Sequence, residues 1–220
     1  MDLAKIEYKL KDKSMNVNEL RDRIVELSHQ GASDGEIQTR AMGWLNAAYH
    51  EVMDELLPFA PAALQIEETT ATDAAGVATL AQTPYRIMGV MDMTAGRMLF
   101  NLTPMEVLSS NLGTGSGQRG YVPTAAGLRL VPAASATLKV LYVPAVADLV
   151  ANAPESTVLL PKAHHTALVW GGLVWSSLFE RGFGTQGELA MFQTQWQKAK
   201  ESVKLALLGN AGLRVSSYGN

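Results

Sequence analysis

The adjacent histidines, a glycine-rich run and two acidic pairs are the features of this 220-residue chain whose types could do chemistry. His164 and His165 are the only neighbouring pair among the four histidines, the others being His29 and His50. Adjacent helical residues point in different directions, so a metal site would need a second ligand three or four positions on. Leu168 and Val169 stand there, and the pair reads as structural or solvent-facing. The run Asn111–Gly120 holds Gly113-Thr114-Gly115-Ser116-Gly117, which has the look of a phosphate cradle. A phosphate loop continues into Lys-Ser/Thr at a helix start, whereas Gln118-Arg119-Gly120-Tyr121 follows here. Gly113, Gly115, Gly117 and Arg119 therefore read as a flexible contact loop. Glu51 and Glu55, one turn apart beside Asp54, could act as an acid–base pair, but this pattern more often marks a solvated helix face. The same holds for Glu67-Glu68. There is no Gly-x-Ser-x-Gly elbow, and with no cysteine there is no disulfide, thiolate metal site or cysteine nucleophile. No catalytic residue, metal or cofactor is predicted.

Composition sets the frame around those residues. Hydrophobic residues make up 47% and charged residues 18%, which is the texture of a globular chain able to bury its own core. A net charge of -3 argues against a grip on nucleic-acid phosphates. Residues 1–14 mix Lys5, Lys9, Lys11 and Lys13 with Asp2, Glu7 and Asp12 and lack the apolar run of a signal peptide. The most apolar stretch, Ala167–Phe179, falls short of the ~20 residues that a membrane helix needs. A soluble protein without an export address is expected.

The elements follow from periodicity. Asn16 and Glu19 form a capping box ahead of Val17, Leu20, Ile24 and Leu27, which predicts an amphipathic helix ended by Gly31. Ser33 and Glu36 repeat the box before the stripe Ile37, Met42, Leu45, Tyr49, Val52, Met53 and Leu56, stopped at Pro58. The middle of the chain alternates and is rich in threonine. Tyr85–Met93 and Arg97–Leu102 read as one hairpin, and Leu128–Val131 with Thr137–Val143 as another across Pro132–Ala136. Thr103-Pro104 suits a short helix start. After Pro161 a helix that is apolar nearly all round carries Trp170, Trp175 and the pair Gly171-Gly172, which suggests burial and close packing. Thr185 and Glu188 then open a last helix with the stripe Leu189, Phe192, Trp196, Ala199, Val203 and Ala206, closed by Gly209.

The resulting expectation is an α+β chain: an antiparallel bundle of about four helices with a small, central, antiparallel β-insert. Residues 1–14 are a flexible arm, 15–209 one domain and 210–220 a tail. The helices are placed at 16–30, 34–57, 161–181 and 186–208, and the insert at 63–144.

Three segments then resemble those of one family. Trp44-Leu45-Asn46-Ala47-Ala48-Tyr49-His50-Glu51-Val52 is similar to the W-[IL]-N-x-A-Y-x-E-[IVL] helix of tailed-bacteriophage head-to-tail adaptor (connector, head-completion) proteins. Gly120–Pro123, Gly127–Pro132 and Leu138–Pro144 resemble the family's hairpin with its l-P-x-P turn and l-x-l-x-Y return strand. Leu159-Leu160-Pro161-Lys162-Ala163-His164-His165 resembles the L-P-x-x-[YH]-H start of its penultimate helix. The likeness runs from about Asn16 to Leu208. It departs before Tyr85, where Leu80–Pro84 stands in place of a Y-x-L-P pattern.

The resemblance implies a structural virion protein of the neck, assembled in the host cytoplasm. Its partners would be the portal ring, a downstream neck or tail protein, and itself in a ring, commonly a dodecamer, with double-stranded DNA passing through unrecognised. Leu213, Arg214, Val215 and Tyr218 in the tail are the expected contacts with a neighbouring ring. A stopper or tail-terminator protein is the nearest alternative, but such proteins are mainly β. An enzyme or ligand-binding protein would need a convergent polar pocket that no set of residues in this sequence suggests.

Overall fold

The computed structural model describes residues 15–28, 35–111, 120–154, 157–179 and 186–212. In chain order its elements are helices α1 (Val17–Leu27) and α2 (Gly35–Leu56), then strands β1 (Ile66–Ala71), β2 (Val77–Thr79), β3 (Pro84–Asp92) and β4 (Arg97–Asn101). Helix α3 (Pro104–Asn111), strands β5 (Gly120–Thr124), β6 (Gly127–Val131) and β7 (Thr137–Pro144), and helices α4 (His165–Phe179) and α5 (Gln186–Gly212) follow. They fall into a helical unit, from the chain up to Ala63 and from Val146 onward, and a β unit, Leu64–Ala145.

Helix α1 starts where its capping box dictates. The Glu19 N–H donates to Asn16 Oδ1 and the Asn16 N–H to Glu19 Oε2, both at 2.9 Å, satisfying two amide donors that a helix start leaves open. Its stripe Val17, Leu20, Ile24 and Leu27 is buried. Pro58, which lacks an N–H, sits in a 3-10 turn (Leu57–Phe59) directly after α2. Helix α4 is the hub: α1, α2 and α5 all pack against it. Two glycines let them approach, because a Cβ on Gly171 would lie 2.6 Å from Ala48 Cβ and one on Gly172 would lie 2.2 Å from Ile24 Cδ1. Helix α5 runs past Gly209 to Gly212. The glycine expected at Gly31 and the caps at Ser33 and Thr185 lie outside the described residues.

The β unit overturns the expected architecture. Instead of a small insert carried by a helical bundle, it holds a seven-stranded sheet in the order β1-β7-β3-β4-β5-β6-β2. The neighbours pair antiparallel except β4 and β5, which are parallel and are joined through α3, as a parallel pair requires a crossover. The two ends of that order come together. Thr70 Oγ1 of β1 donates to the Thr79 carbonyl of β2 at 3.2 Å. The Ala81 N–H donates to both Glu68 carboxylate oxygens at 3.0 and 3.1 Å. The sheet is thus nearly closed and barrel-like, which leaves little unpaired edge. Its interior holds Ala78, Leu80, Val90, Leu99, Tyr121, Leu128, Leu130, Leu138, Val140 and Tyr142. Tyr142 donates its phenol proton to Glu68 Oε2 at 2.8 Å. Burial first, and Glu68 second, push that phenol up to about 12, so it stays a donor at any ordinary pH.

One expected hairpin is present and one is not. β3 and β4 pair antiparallel, Val90 opposite Leu99, with the turn held by the Ala95 N–H donating to Asp92 Oδ1 at 2.9 Å. β6 does not pair with β7: it pairs with β5 and β2, while β7 lies between β1 and β3. The reason lies in the connecting segment. Thr72, just after β1, donates its N–H to the Ala136 carbonyl at 2.9 Å. Its hydroxyl accepts the Ala136 N–H at 2.8 Å and donates to the Ala134 carbonyl at 2.7 Å. Residues that would have formed a tight turn are bound to β1 instead.

Candidate functional site

Helix α2 places its polar residues one after another along the helical unit. Asn46 closes a two-way clasp on Leu149, its Oδ1 accepting the Leu149 N–H at 2.7 Å and its Nδ2 donating to the Leu149 carbonyl at 3.0 Å. Tyr49, buried, accepts the Leu159 N–H at 3.1 Å, and burial pushes its phenol up to about 12. His50 Nε2 lies 2.7 Å from Asp148 Oδ1. One face of α2 therefore holds Asp148, Leu149 and Leu159 in place. Helix α1 adds to this grip: Asn18 Nδ2 donates to Asn152 Oδ1 at 2.7 Å and Asn18 Oδ1 accepts the Asn152 N–H at 3.0 Å.

Glu51 and Glu55 form a second polar cluster on α2. Glu51 accepts from Lys200 Nζ at 2.7 Å, from Trp196 Nε1 at 3.2 Å and from Trp175 Nε1 at 3.3 Å. Glu55 pairs with Lys200 at 2.9 Å and with Lys204. The Lys200 ammonium also lies over the Trp196 ring, 5.3 Å from its centroid. The Lys200 side chain is 9% exposed and the two glutamates about a third, so the expected solvated helix face is wrong here. The cause is α5, whose Lys200 and Lys204 repeat at the same one-turn interval as Glu51 and Glu55 and cover them. That matched interval is the signal available in the sequence.

The cluster makes stability depend on pH in a stated direction. Burial alone would raise the Glu55 carboxyl, but the hydrogen bonds and charges of Lys204 and Lys200 outweigh it and hold it below its usual 4.5. Burial would likewise lower Lys200, but Glu51 and Glu55 carry it above 10.5. A depressed acid stabilises above its unfolded value and loses that as pH falls, and a raised base stabilises below its unfolded value and loses that as pH rises. The cluster is therefore at full strength between the two ordinary values, 4.5 and 10.5. Urea denaturation at stepped pH should show a fall in stability below pH 4.5 that is shallower in Glu55→Gln.

The remaining sequence-predicted residues do not converge. His165 is buried, its ring between the carbonyls of Leu160 at 2.9 Å and Met15 at 3.1 Å, where it ties the start of α4 to the approach to α1. His164 is only part-buried; burial, then His165, lower its affinity for a proton. Trp170 and Trp196 are core residues, and Trp175 stacks on the exposed Phe179 ring at 5.5 Å. Glu67 pairs with Lys139 at 2.9 Å across the sheet, while Glu68 closes the barrel rather than facing solvent. Gly113, Gly115, Gly117 and Arg119, and Leu213, Arg214, Val215 and Tyr218, lie outside the described residues. Among the described residues no group of three acidic, histidine or cysteine side chains could hold a metal ion. No described helix is long and apolar enough to cross a membrane.

Asn46, Tyr49, His50 and Glu51, the polar residues of the α2 signature, thus all brace the fold. The class is that of phage head-to-tail adaptors, structural proteins of the virion neck that associate with portal and tail proteins. A family model for the SU10 adaptor protein matches residues 15–215, nearly the whole chain, and the chain belongs to that family. A search of curated proteins finds no match.

Proposed function

We propose that this chain forms a ring, dodecameric as in the resemblance noted above, that docks beneath the portal after DNA packaging, extends the DNA channel and receives the next neck or tail component. The observation that carries this reading is the family match over residues 15–215. The α2 residues that make the resemblance recognisable serve its internal bracing, so the work of the protein falls to its surfaces and it catalyses no reaction. A chain of net charge -3 suits a conduit, because an acidic wall does not hold passing phosphate. Assembly takes place in the host cytoplasm. The loop around Gly113, Gly115, Gly117 and Arg119 and the tail residues Leu213, Arg214, Val215 and Tyr218 act as contacts that settle on the neighbouring rings.

Negative-stain imaging of the purified chain mixed with the portal tests this directly: a ring of added density beneath the portal is expected, and bare portals would sink it. Deleting Ala211–Asn220 should abolish attachment while leaving the thermal melt of the protein unchanged. Attachment at the full-length level would remove the tail from the proposal.

A further inference from the structure

The outer face of the β unit carries an apolar pocket that the bracing of the fold does not use. It has a volume of about 380 Å³ and is lined by Leu102, Pro104, Val107, Leu108, Val122 and Arg129. Alternation along the strands places it. Leu99 faces the interior, so Phe100 faces out, and it lies in register with Gly120 of β5. Val122 is the next outward residue on β5 and stands opposite Arg129 of β6. Helix α3 supplies the other wall. Further apolar side chains are exposed on the same elements, Met98 at 58% and Phe100 at 65% on β4 and Met105 at 76% on α3. Exposed apolar surface of this kind, rimmed by a charged group, marks an interaction site more often than it marks nothing.

Charge says what the pocket takes. Every described carboxylate of the β unit is engaged. Glu67 pairs with Lys139, Glu68 with Tyr142 and the Ala81 amide, Asp73 with the Val77 amide, Asp92 with the Ala95 amide and Glu106 with Thr103. The Arg129 side chain has no hydrogen bond or ion pair to any described residue, and it is exposed at the edge of an otherwise apolar cavity. A guanidinium presents a fork of donors matched to a carboxylate, and arginine beside methionine and aromatic surface is the composition of interface centres. We propose that this face docks an acidic, apolar peptide segment of another protein, one apolar side chain entering the pocket and an adjacent carboxylate pairing with Arg129.

Neither 1–14, nor 112–119 between α3 and β5, nor 213–220 is acidic on balance. Residues 1–14 carry four lysines against three acids, and 112–119 and 213–220 contain no acidic side chain. Duplex DNA fits less well, because a phosphate backbone has no use for a leucine- and valine-lined cavity and acidic residues outnumber basic ones among the described residues of the unit. The inference stands on the β unit alone and does not require the ring.

Fluorescence anisotropy on the full chain tests it, with a labelled peptide of alternating glutamate and leucine, a serine-for-leucine control and a duplex DNA competitor. The leucine peptide should bind and the serine peptide should not. Arg129→Gln should weaken binding roughly tenfold, the scale of one lost charge-assisted bond, and Leu108→Asp at least as much. Both residues are exposed, so both variants should keep the parent's circular dichroism and melting profile. No binding of the leucine peptide, equal binding of the serine peptide, equal binding by both variants, or DNA bound more tightly than peptide through Arg129 would each overturn the proposal.

Discussion

Replacing Gly171 by valine is expected to destabilise the helical unit by about 3 kcal/mol, the upper range for overfilling a packed core. The added Cβ would stand 2.6 Å from Ala48 Cβ and 2.9 to 3.0 Å from the Trp196 ring. Ala48 has no rotamer with which to yield. Trp196 cannot swing aside cheaply, because its Nε1 is bound to Glu51 and Lys200 lies over its ring. The strain therefore has to move α2 or α5 away from α4. Gly43 is the internal control: nothing lies within 4 Å of a Cβ there, so Gly43→Ala should stabilise by about 0.5–1 kcal/mol through helix propensity. Urea denaturation followed by tryptophan fluorescence separates the cases cleanly. Trp44, Trp170, Trp175 and Trp196 are all the tryptophans of the chain and all belong to the helical unit. A Gly171→Val protein as stable as the parent would show that the helices are not packed this closely.

Glu51→Ala is expected to cost about 2–4 kcal/mol, measured the same way. The substitution leaves two indole N–H groups without their acceptor and removes one of the two carboxylates that hold Lys200. Each orphaned group costs on the order of 1–3 kcal/mol when buried, and partial access of water at this one-third exposed site keeps the sum below the full total. Glu51→Gln retains an acceptor for the indoles and should cost about 1 kcal/mol. The parent emission maximum should move to longer wavelength in Glu51→Ala alone as the indoles turn to water. Equal stability of the two variants would mean that the charge on Lys200, not the indole bonds, is what Glu51 serves.

These two residues show what local sequence reveals and what it hides. The burial stripe of α1 was legible because Val17, Leu20, Ile24 and Leu27 recur within a few residues, as does the Asn16–Glu19 cap. The need for close packing at Gly171-Gly172 was legible too, since two glycines inside an apolar helix have few other uses. The neighbours that impose it, Ala48, Trp196 and Ile24, were not. Glu51 and Glu55 looked solvated because the lysines that cover them arrive from α5, far along the chain.

The β unit makes the same point at larger scale. Strand segments could be read from alternation, and the β3–β4 hairpin from its short turn. Pairing between β1 and β7, or the parallel contact of β4 with β5, leaves no local trace, so a nearly closed seven-stranded sheet looked like a small insert. Glu68 turned from a surface acid into part of the seam only once β1 and β2 met.

The sequence by itself determined that the helices exist, the Asn16–Glu19 cap and buried stripe of α1, the lack of thiol chemistry and the family signature along α2, because each of these rests on residues within a turn or two of one another. Tertiary structure alone decided the closure of the sheet, the burial of the Glu51–Glu55–Lys200 cluster and the pocket beside Arg129. Each of these depends on contacts between residues distant in the chain, and the free energy that selects them comes from burial and pairing that exist only after the elements have met.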